Sequence, residues 1–245
     1  MKIIYYYQTF CGLDKIINDP DNNVSHIHVS SIHFDNDEIH LNDNSPYSSV
    51  FDNLWKELQI ITLKKNITVV LMVGGAGGAY AELFSDFEKY YKMLYDLINK
   101  YNNTIKGIDL DIEETVDIEN VILLIKRIKK DFGSEFIISM APIESSMEYD
   151  SEGMGGFVYK KLFKSVGSSI DYFNVQCYYD YSEETFNRIV KNGYPADKIN
   201  MGMMSYQYNN TIHKIINNLQ KKKLGGVFDW EYNDAIPNWN HLIVN

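Results

Sequence analysis

Eight short runs rich in β-branched and aromatic residues recur along the chain, separated by segments of helical period. This rhythm restricts the possible folds more than any other feature of the sequence. The runs are Lys2–Tyr7, residues 26–34, 68–73, 107–112 and 136–141, Tyr172–Gln176, and residues 200–204 and 225–230. Between them, helical spacing falls over residues 50–64 and 81–101, Ile118–Phe132, residues 157–166, Glu183–Lys191 and residues 211–223, with a weaker turn at 13–17. Strand–helix alternation repeated eight times within 245 residues fits a single (β/α)8 TIM barrel, an α/β fold of about 250 residues. An open, doubly wound sheet is the alternative, but it usually needs fewer strands. No linker-like stretch or break in composition divides the chain, so residues 1–245 read as one domain.

The Ile118–Phe132 segment shows how the helices are encoded. Ile118, Val121, Ile122, Ile125, Ile128 and Phe132 follow the i, i+3, i+4, i+7 rule, which leaves Lys126, Arg127, Lys129 and Lys130 toward water. Asp117 is placed to cap its start and Gly133 follows its end.

Charge and composition narrow the function classes. Hydrophobic residues make up 45% and charged residues 23%, which excludes disordered and collagen-like chains. A formal net charge of −10 lacks the positive footprint of a nucleic-acid binder or a basic membrane-surface protein and suits a neutral or cationic substrate. Cys11 and Cys177 form no disulfide framework and match no zinc spacing; Cys177 lies in an apolar-aromatic run and reads as a buried thiol. No stretch approaches the roughly 20 apolar residues of a membrane span. The N-terminus carries no apolar leader and begins directly as a strand. The expectation is a soluble monomer, cytoplasmic as written or secreted if a leader has been removed.

The chemistry concentrates in Lys106-Gly107-Ile108-Asp109-Leu110-Asp111-Ile112-Glu113-Glu114. Ile108, Leu110 and Ile112 point one way and Asp109, Asp111 and Glu113 the other. In a barrel strand the apolar row packs under helices, so the acids line the interior, with Glu113 at the C-terminal end where such barrels carry their active sites. Carboxylates two residues apart on one face are about 6–7 Å apart along the strand. In a low-dielectric interior they cannot all ionise, so one retains a proton, and a proton retained on Glu113 is what a general acid requires. Three carboxylates could instead ligate a hard divalent cation. No other cluster completes such a site, and His26 and His28, which share one face near the second strand, read as barrel or rim histidines. Neither metal nor cofactor is expected.

This segment, ending Gly-Ile-Asp-Leu-Asp-Ile-Glu, resembles the DGxDxDxE signature of the glycoside hydrolase family 18 chitinases, the compact plant-type (class III) enzymes in particular. Other stretches agree in order: residues 71–80 resemble the family's third strand and glycine-rich loop. Ser139-Met140-Ala141-Pro142 resembles the fifth-strand Met-Ala-Pro. Residues 174–178 resemble the sixth-strand Gln-x-Tyr, and 225–230 the eighth strand ending in Trp. The likeness covers strands three to eight.

The resemblance implies an endo-acting, retaining hydrolase of β-1,4-linked N-acetylglucosamine oligo- or polysaccharides, in which the substrate's own acetamide is the nucleophile. It makes Glu113 the proton donor, Asp111 the group that positions the acetamide, Asp109 the partner in Asp111's proton balance, and Tyr178 the donor to the acetamido oxygen. Trp230 would floor the sugar subsite, with Gln176, Met140, Tyr179, Tyr6 and the backbone of Gly74 and Gly75 around it. Three positions depart from the family's pattern. Lys106 replaces the opening Asp, Met72 stands where a small hydroxyl residue is frequent, and Tyr179 stands where Asp or Asn follows the Tyr, with Asp180 one place later. Without the hydroxyl at 72, Asp109 should depend more on Asp111. An endo-β-N-acetylglucosaminidase acting on N-glycan cores and a non-catalytic lectin on the same barrel remain open, and the cleft is expected to be a shallow open groove.

Overall fold

A computed structural model describes residues 1–244 of the chain. Its strands are β1 (Lys2–Tyr7), β2 (His26–Asp35), β3 (Glu38–Leu41), β4 (Thr68–Gly74), β5 (Ile105–Asp111), β6 (Ile137–Met140), β7 (Tyr172–Gln176), β8 (Ile199–Met204) and β9 (Gly226–Trp230). All but β3 pair in parallel in the order β1–β2–β4–β5–β6–β7–β8–β9, and β9 returns to β1, which closes an eight-stranded barrel with helices between the strands.

Two separate apolar clusters show how the alternation in the strands works. Ile4, Tyr6, Met72, Tyr172 and Phe228 fill the inside of the ring. Ile108, Leu110 and Ile112 of the acidic segment belong to the larger layer between barrel and helices. The Ile118–Phe132 helix buries Val121, Ile122, Leu124, Ile125 and Ile128 in that layer, with Asp117 accepting from the Glu119 amide at its start. Full burial of such a side chain contributes about 1.5–3 kcal/mol. Of the first-strand tyrosines, Tyr6 faces inward. Tyr5 and Tyr7 face outward and meet Tyr232 edge-on at centroid distances of 5.1 and 5.4 Å, so Tyr232 belongs to the outer packing. Gly202 leaves the space that the Phe228 ring occupies, since a Cβ there would lie 1.8 Å from it.

The structure departs from the sequence reading in four places. Strand β3 was not anticipated: it folds back antiparallel on an extension of β2, with Phe34 opposite Ile39 and Asp35 opposite Glu38. Asn36 and Asp37 turn the chain with φ of 48° and 64°, the double positive-φ geometry of a tight hairpin that Asn and Asp tolerate. Residues 81–101 form two helices, Tyr80–Ser85 and Phe87–Lys100, because Asp86 breaks the first and caps the second through the Lys89 amide. A short helix at Glu144–Glu148 and another at Trp239–Leu242, the latter burying Trp239, complete the chain.

Candidate active site

In parallel strands, residues in register point to the same side. Met72, Asp109, Ser139 and Tyr172 are such partners across β4 to β7, so the first acid of the row faces the barrel interior. Asp109 is fully buried. It accepts hydrogen bonds from the Tyr6 hydroxyl at 2.7 Å, the Ser139 hydroxyl at 2.5 Å and the Asn174 amide at 3.4 Å, and His28 Nδ1 lies 3.5 Å away. The Asn174 amide also donates to the Tyr6 oxygen at 2.9 Å. A buried carboxylate is tolerable only with such a shell of donors. The expectation that Met72 leaves Asp109 dependent on Asp111 is therefore corrected: Ser139 supplies a hydroxyl from the neighbouring strand.

Asp111 stands one layer higher. Gln176 donates to its Oδ1 at 3.1 Å and to Glu113 Oε1 at 3.4 Å, while the same amide reaches the Ala141 carbonyl at 2.8 Å. One amide group thus sits between two acids. Burial first, then the charges of Glu113 and Asp109, hold the Asp111 carboxyl well above the ordinary carboxylate range. Asp111 is the deeper of the two acids, at 4% exposed. Glu113 lies two residues past the end of β5, half-buried at the mouth.

Above these acids opens a cavity of about 990 Å³ at the C-terminal end of the barrel. Asp111, Glu113, Gln176, Tyr178, Met72 and Trp230 line its depth. The Tyr178 hydroxyl is pushed well above its usual range by burial and by the negative charge of Asp111 and Glu113, so it remains a donor. Gly74 and Gly75 bring backbone to the wall with φ of 94° and 82°. A Cβ on Gly74 would lie 2.3 Å from the Asp111 carbonyl oxygen, and the Gly75 amide donates to that oxygen at 2.9 Å. Only glycine fits so close to the acidic strand in that conformation.

Three residues expected to touch substrate stand elsewhere. Tyr6 lies beneath the cavity, where it serves Asp109. Met140 is in register with Leu110 and packs outward under the helices, because a neighbouring strand in register shares its facing. Tyr179 is 93% exposed on the rim and does not line the cavity. Asp180, one place on, is turned away to Thr185 Oγ1 at 2.7 Å and Arg188 Nη2 at 3.0 Å. Lys106 is exposed at the start of the acidic segment and donates to the Asn102 carbonyl.

Sequence reasoning missed several participants. Ser139 and Asn174 reach Asp109 from two other strands, beside His28, which the sequence had already marked as a barrel histidine. Strand alternation in the Ser-Met-Ala run marks Ser139, not Met140, as inward once its register with Asp109 is known. The β2–β3 hairpin adds a polar wall of His33, Asp35, His40, Asn42 and Asp43. His33 is tied to Ser31 Oγ at 2.5 Å and donates from Nδ1 to the Gly78 carbonyl at 2.6 Å, so the hairpin is fastened to the glycine-rich loop. Glu114 holds the other side of that loop by accepting from the Ala79 and Tyr80 amides at 2.5 and 2.6 Å. Glu231, buried beside Trp230, accepts from the amides of Gln8 and Thr9 at 2.9 and 3.3 Å and from the Thr9 hydroxyl; Gln8 and Thr9 also line the cavity. No group of three or more His, Cys, Asp or Glu among the described residues is arranged to hold a metal ion.

Comparison with known proteins agrees with this geometry. No curated protein matches the sequence. Among solved structures, a fungal endo-β-N-acetylglucosaminidase of glycosyl hydrolase family 18 is similar at 29% identity and a TM-score of 0.90, covering 99% of this chain and 96% of that one. A chitinase of Aspergillus fumigatus is similar at 28% identity and a TM-score of 0.90, covering 97% and 93%. The chitinase-like agglutinin of Robinia pseudoacacia shares the fold at 14% identity and a TM-score of 0.70, covering 98% of both chains. The family profile described as glycosyl hydrolases family 18 matches residues 2–242, and the chain belongs to that family.

Proposed function

We propose that this glycosidase cleaves the β-1,4 bond between two N-acetylglucosamine units of a chitin-type chain, with retention of configuration, through the acetamide of the sugar on the donor side of the bond. The observation that carries the reading is the Asp111–Gln176–Glu113 arrangement: two acids share one amide donor beneath a cavity walled by Tyr178 and Trp230.

The Trp230 ring offers a flat apolar face to the C–H groups of the reacting pyranose. The acetamide then lies over Asp111, with Tyr178 donating to its carbonyl oxygen. The coupled acids hold one proton between them. An approaching acetamide N–H favours the ionised form of Asp111, which displaces that proton to Glu113. Glu113 gives it to the glycosidic oxygen as the bond to the anomeric carbon breaks and the acetamide oxygen bonds to that carbon. Positive charge on the resulting oxazolinium is balanced by the Asp111 carboxylate, the kind of preorganised electrostatic support that carries much of enzymatic rate enhancement. Glu113, now ionised, takes a proton from the water that attacks the anomeric carbon from the face the leaving group left, which restores the original configuration.

The test is the anomer released first from chitohexaose, followed by proton NMR before mutarotation. The β-anomer is expected at the new reducing end; the α-anomer would sink the acetamide mechanism. A second reading is supported by the fungal endo-β-N-acetylglucosaminidase, which is as similar to this chain as the Aspergillus chitinase. In it the same sugar pair belongs to an N-glycan core. Incubation with an N-glycosylated protein beside chitohexaose separates the two, since release of glycan without cleavage of the hexamer favours the second.

A further inference from the structure

Glu113 lies in an irregular stretch of chain, residues 112–117, between β5 and the Ile118–Phe132 helix, so no regular hydrogen-bond ladder fixes it. Its carboxyl makes one hydrogen bond among the described residues, from Gln176, and at 3.4 Å that contact is long. Acid catalysis is sensitive to position, since a misplacement of about 1 Å can cost about 10²-fold in rate. A donor held so lightly by its own side chain has to be placed through its backbone.

The next residue supplies that hold. Glu113 lines the cavity and Glu114 does not. The Glu114 carboxylate reaches the glycine-rich loop after β4, where one oxygen accepts from two successive amides, Ala79 and Tyr80, at 2.5 and 2.6 Å. Hydrogen bonds from backbone amides to an ionised carboxylate are among the strong ones. The same loop grips the chain on the other side of the acid, because the Gly75 amide donates to the Asp111 carbonyl at 2.9 Å. Close approach is possible because the loop lacks side chains: a Cβ on Gly78 would lie 3.1 Å from Glu114 Oε1, and one on Gly77 2.8 Å from the His33 ring. The loop is fastened from behind as well. His33 donates to the Gly78 carbonyl at 2.6 Å and meets Ser31 Oγ at 2.5 Å. Asn42 accepts from the Ser31 amide at 3.0 Å and donates to the Gln8 carbonyl at 2.9 Å. A line of hydrogen bonds thus runs from the ends of β1 and β2, through the loop, to the backbone on either side of Glu113.

We propose that Glu114 is a positioning residue for the reaction: by anchoring its own backbone to the glycine-rich loop, it sets where the Glu113 carboxyl stands at the cavity mouth. The proposal rests on the glycosidase reading and adds to it a residue outside the cavity. It also gives the loop a mechanical task. With Gly75 holding Asp111 and Glu114 holding Ala79 and Tyr80, the loop clamps the acid-bearing chain two residues before Glu113 and one residue after it. A donor carried on a chain fixed at both flanks keeps its geometry without a tight side-chain contact of its own.

The experiment turns on the leaving group. A sugar hydroxyl must gain a proton as its bond to the anomeric carbon breaks, whereas 2,4-dinitrophenolate departs as a stable anion and needs none. For both, kcat/KM reports the reaction up to that departure, so the later attack of water does not enter. The ratio of kcat/KM for chitohexaose to that for 2,4-dinitrophenyl chitobioside is also independent of how much of a preparation is folded. In Glu114→Ala this ratio is expected to fall about 10–100-fold, because a misplaced donor matters only to the hexamer. Glu114→Gln keeps an acceptor oxygen for the two amides and should keep the parent ratio. An unchanged ratio in the alanine protein leaves Glu114 a merely structural role and overturns the proposal. An equal fall in the glutamine protein assigns the effect to charge and overturns it too. Should the alanine protein not fold, Glu114→Asp, which keeps the charge and shortens the reach, takes its place: a lowered ratio supports the proposal and an unchanged one overturns it. The parent protein separates this failure from failure of the functional reading. If it cleaves neither substrate, the glycosidase reading fails and the positioning role with it; if it cleaves both and the variants leave the ratio unmoved, only the positioning role fails.

Discussion

At the scale of single residues, the site is a problem in keeping carboxyl groups inside a protein. Asp109 is ringed by hydrogen-bond donors, whereas burial and the neighbouring acids push the Asp111 carboxyl above its ordinary range. Removing one donor from Asp109 should therefore be costly: Ser139→Ala leaves a buried acceptor short of a partner and is expected to lower stability by about 1–3 kcal/mol, measured by urea unfolding. Asp229, fully buried on β9, is a third case. Its Oδ1 meets Ser205, its Oδ2 has no hydrogen-bond partner among the described residues, and burial pushes its pKa up to about 7. A carboxyl with a raised folded pKa binds its proton more tightly folded than unfolded. Its contribution is full below the ordinary carboxylate pKa of about 4 and is lost as pH rises through about 7. Unfolding free energy should thus decline by about 2–4 kcal/mol between pH 4 and pH 8 through this group alone, and Asp229→Asn should flatten that decline. A variant with the same pH slope as the parent would show that Asp229 is not the cause.

At the scale of elements, the acidic strand and the glycine-rich loop beside it act as one unit. Gly74 fits only because it has no side chain between the Asp111 carbonyl and the Tyr80 ring. Gly74→Ala combines positive-φ strain with a backbone clash and is expected to cost about 2 kcal/mol or more and to lower kcat; unchanged melting and turnover would contradict the packing described. The limits of the sequence are clearest here. The facing of β5 was legible because Ile108, Leu110 and Ile112 alternate with the acids. The facing of β6 was not, because Met140 and Ser139 are both compatible with a buried strand and only register with Asp109 decides between them. Strand β3 is four residues long, too short for a periodic signal, although Asn36-Asp37 carried the chemistry of its turn. The shell around Asp109 was beyond reach for a different reason: Tyr6 and Asp109 are 103 residues apart, and nothing local in either segment records that they meet.

At the scale of the whole molecule, the closed ring gathers the ends of its strands into one cavity, and the site is assembled from loops scattered along the chain. The eight-strand rhythm was readable because each strand carries its own pattern, whereas the asymmetry of the mouth, polar at the hairpin and aromatic across from it, appears only after closure. The pair Asp111 and Glu113 must hold one proton for acid catalysis, and the raised Asp111 carboxyl sets the pH range in which it does. Turnover should be greatest from acidic to neutral pH and fall on the alkaline side as that proton is lost; a maximum above about pH 9 is incompatible with a protonated carboxyl donor. The central claim, that Glu113 delivers a proton to the glycosidic oxygen, is tested most directly by the hydrolysis rate of a fluorogenic chitotrioside by Glu113→Gln protein. That change preserves shape and removes the transferable proton. A loss of about 10²–10⁴-fold in kcat is predicted; hydrolysis at the parent rate would contradict it.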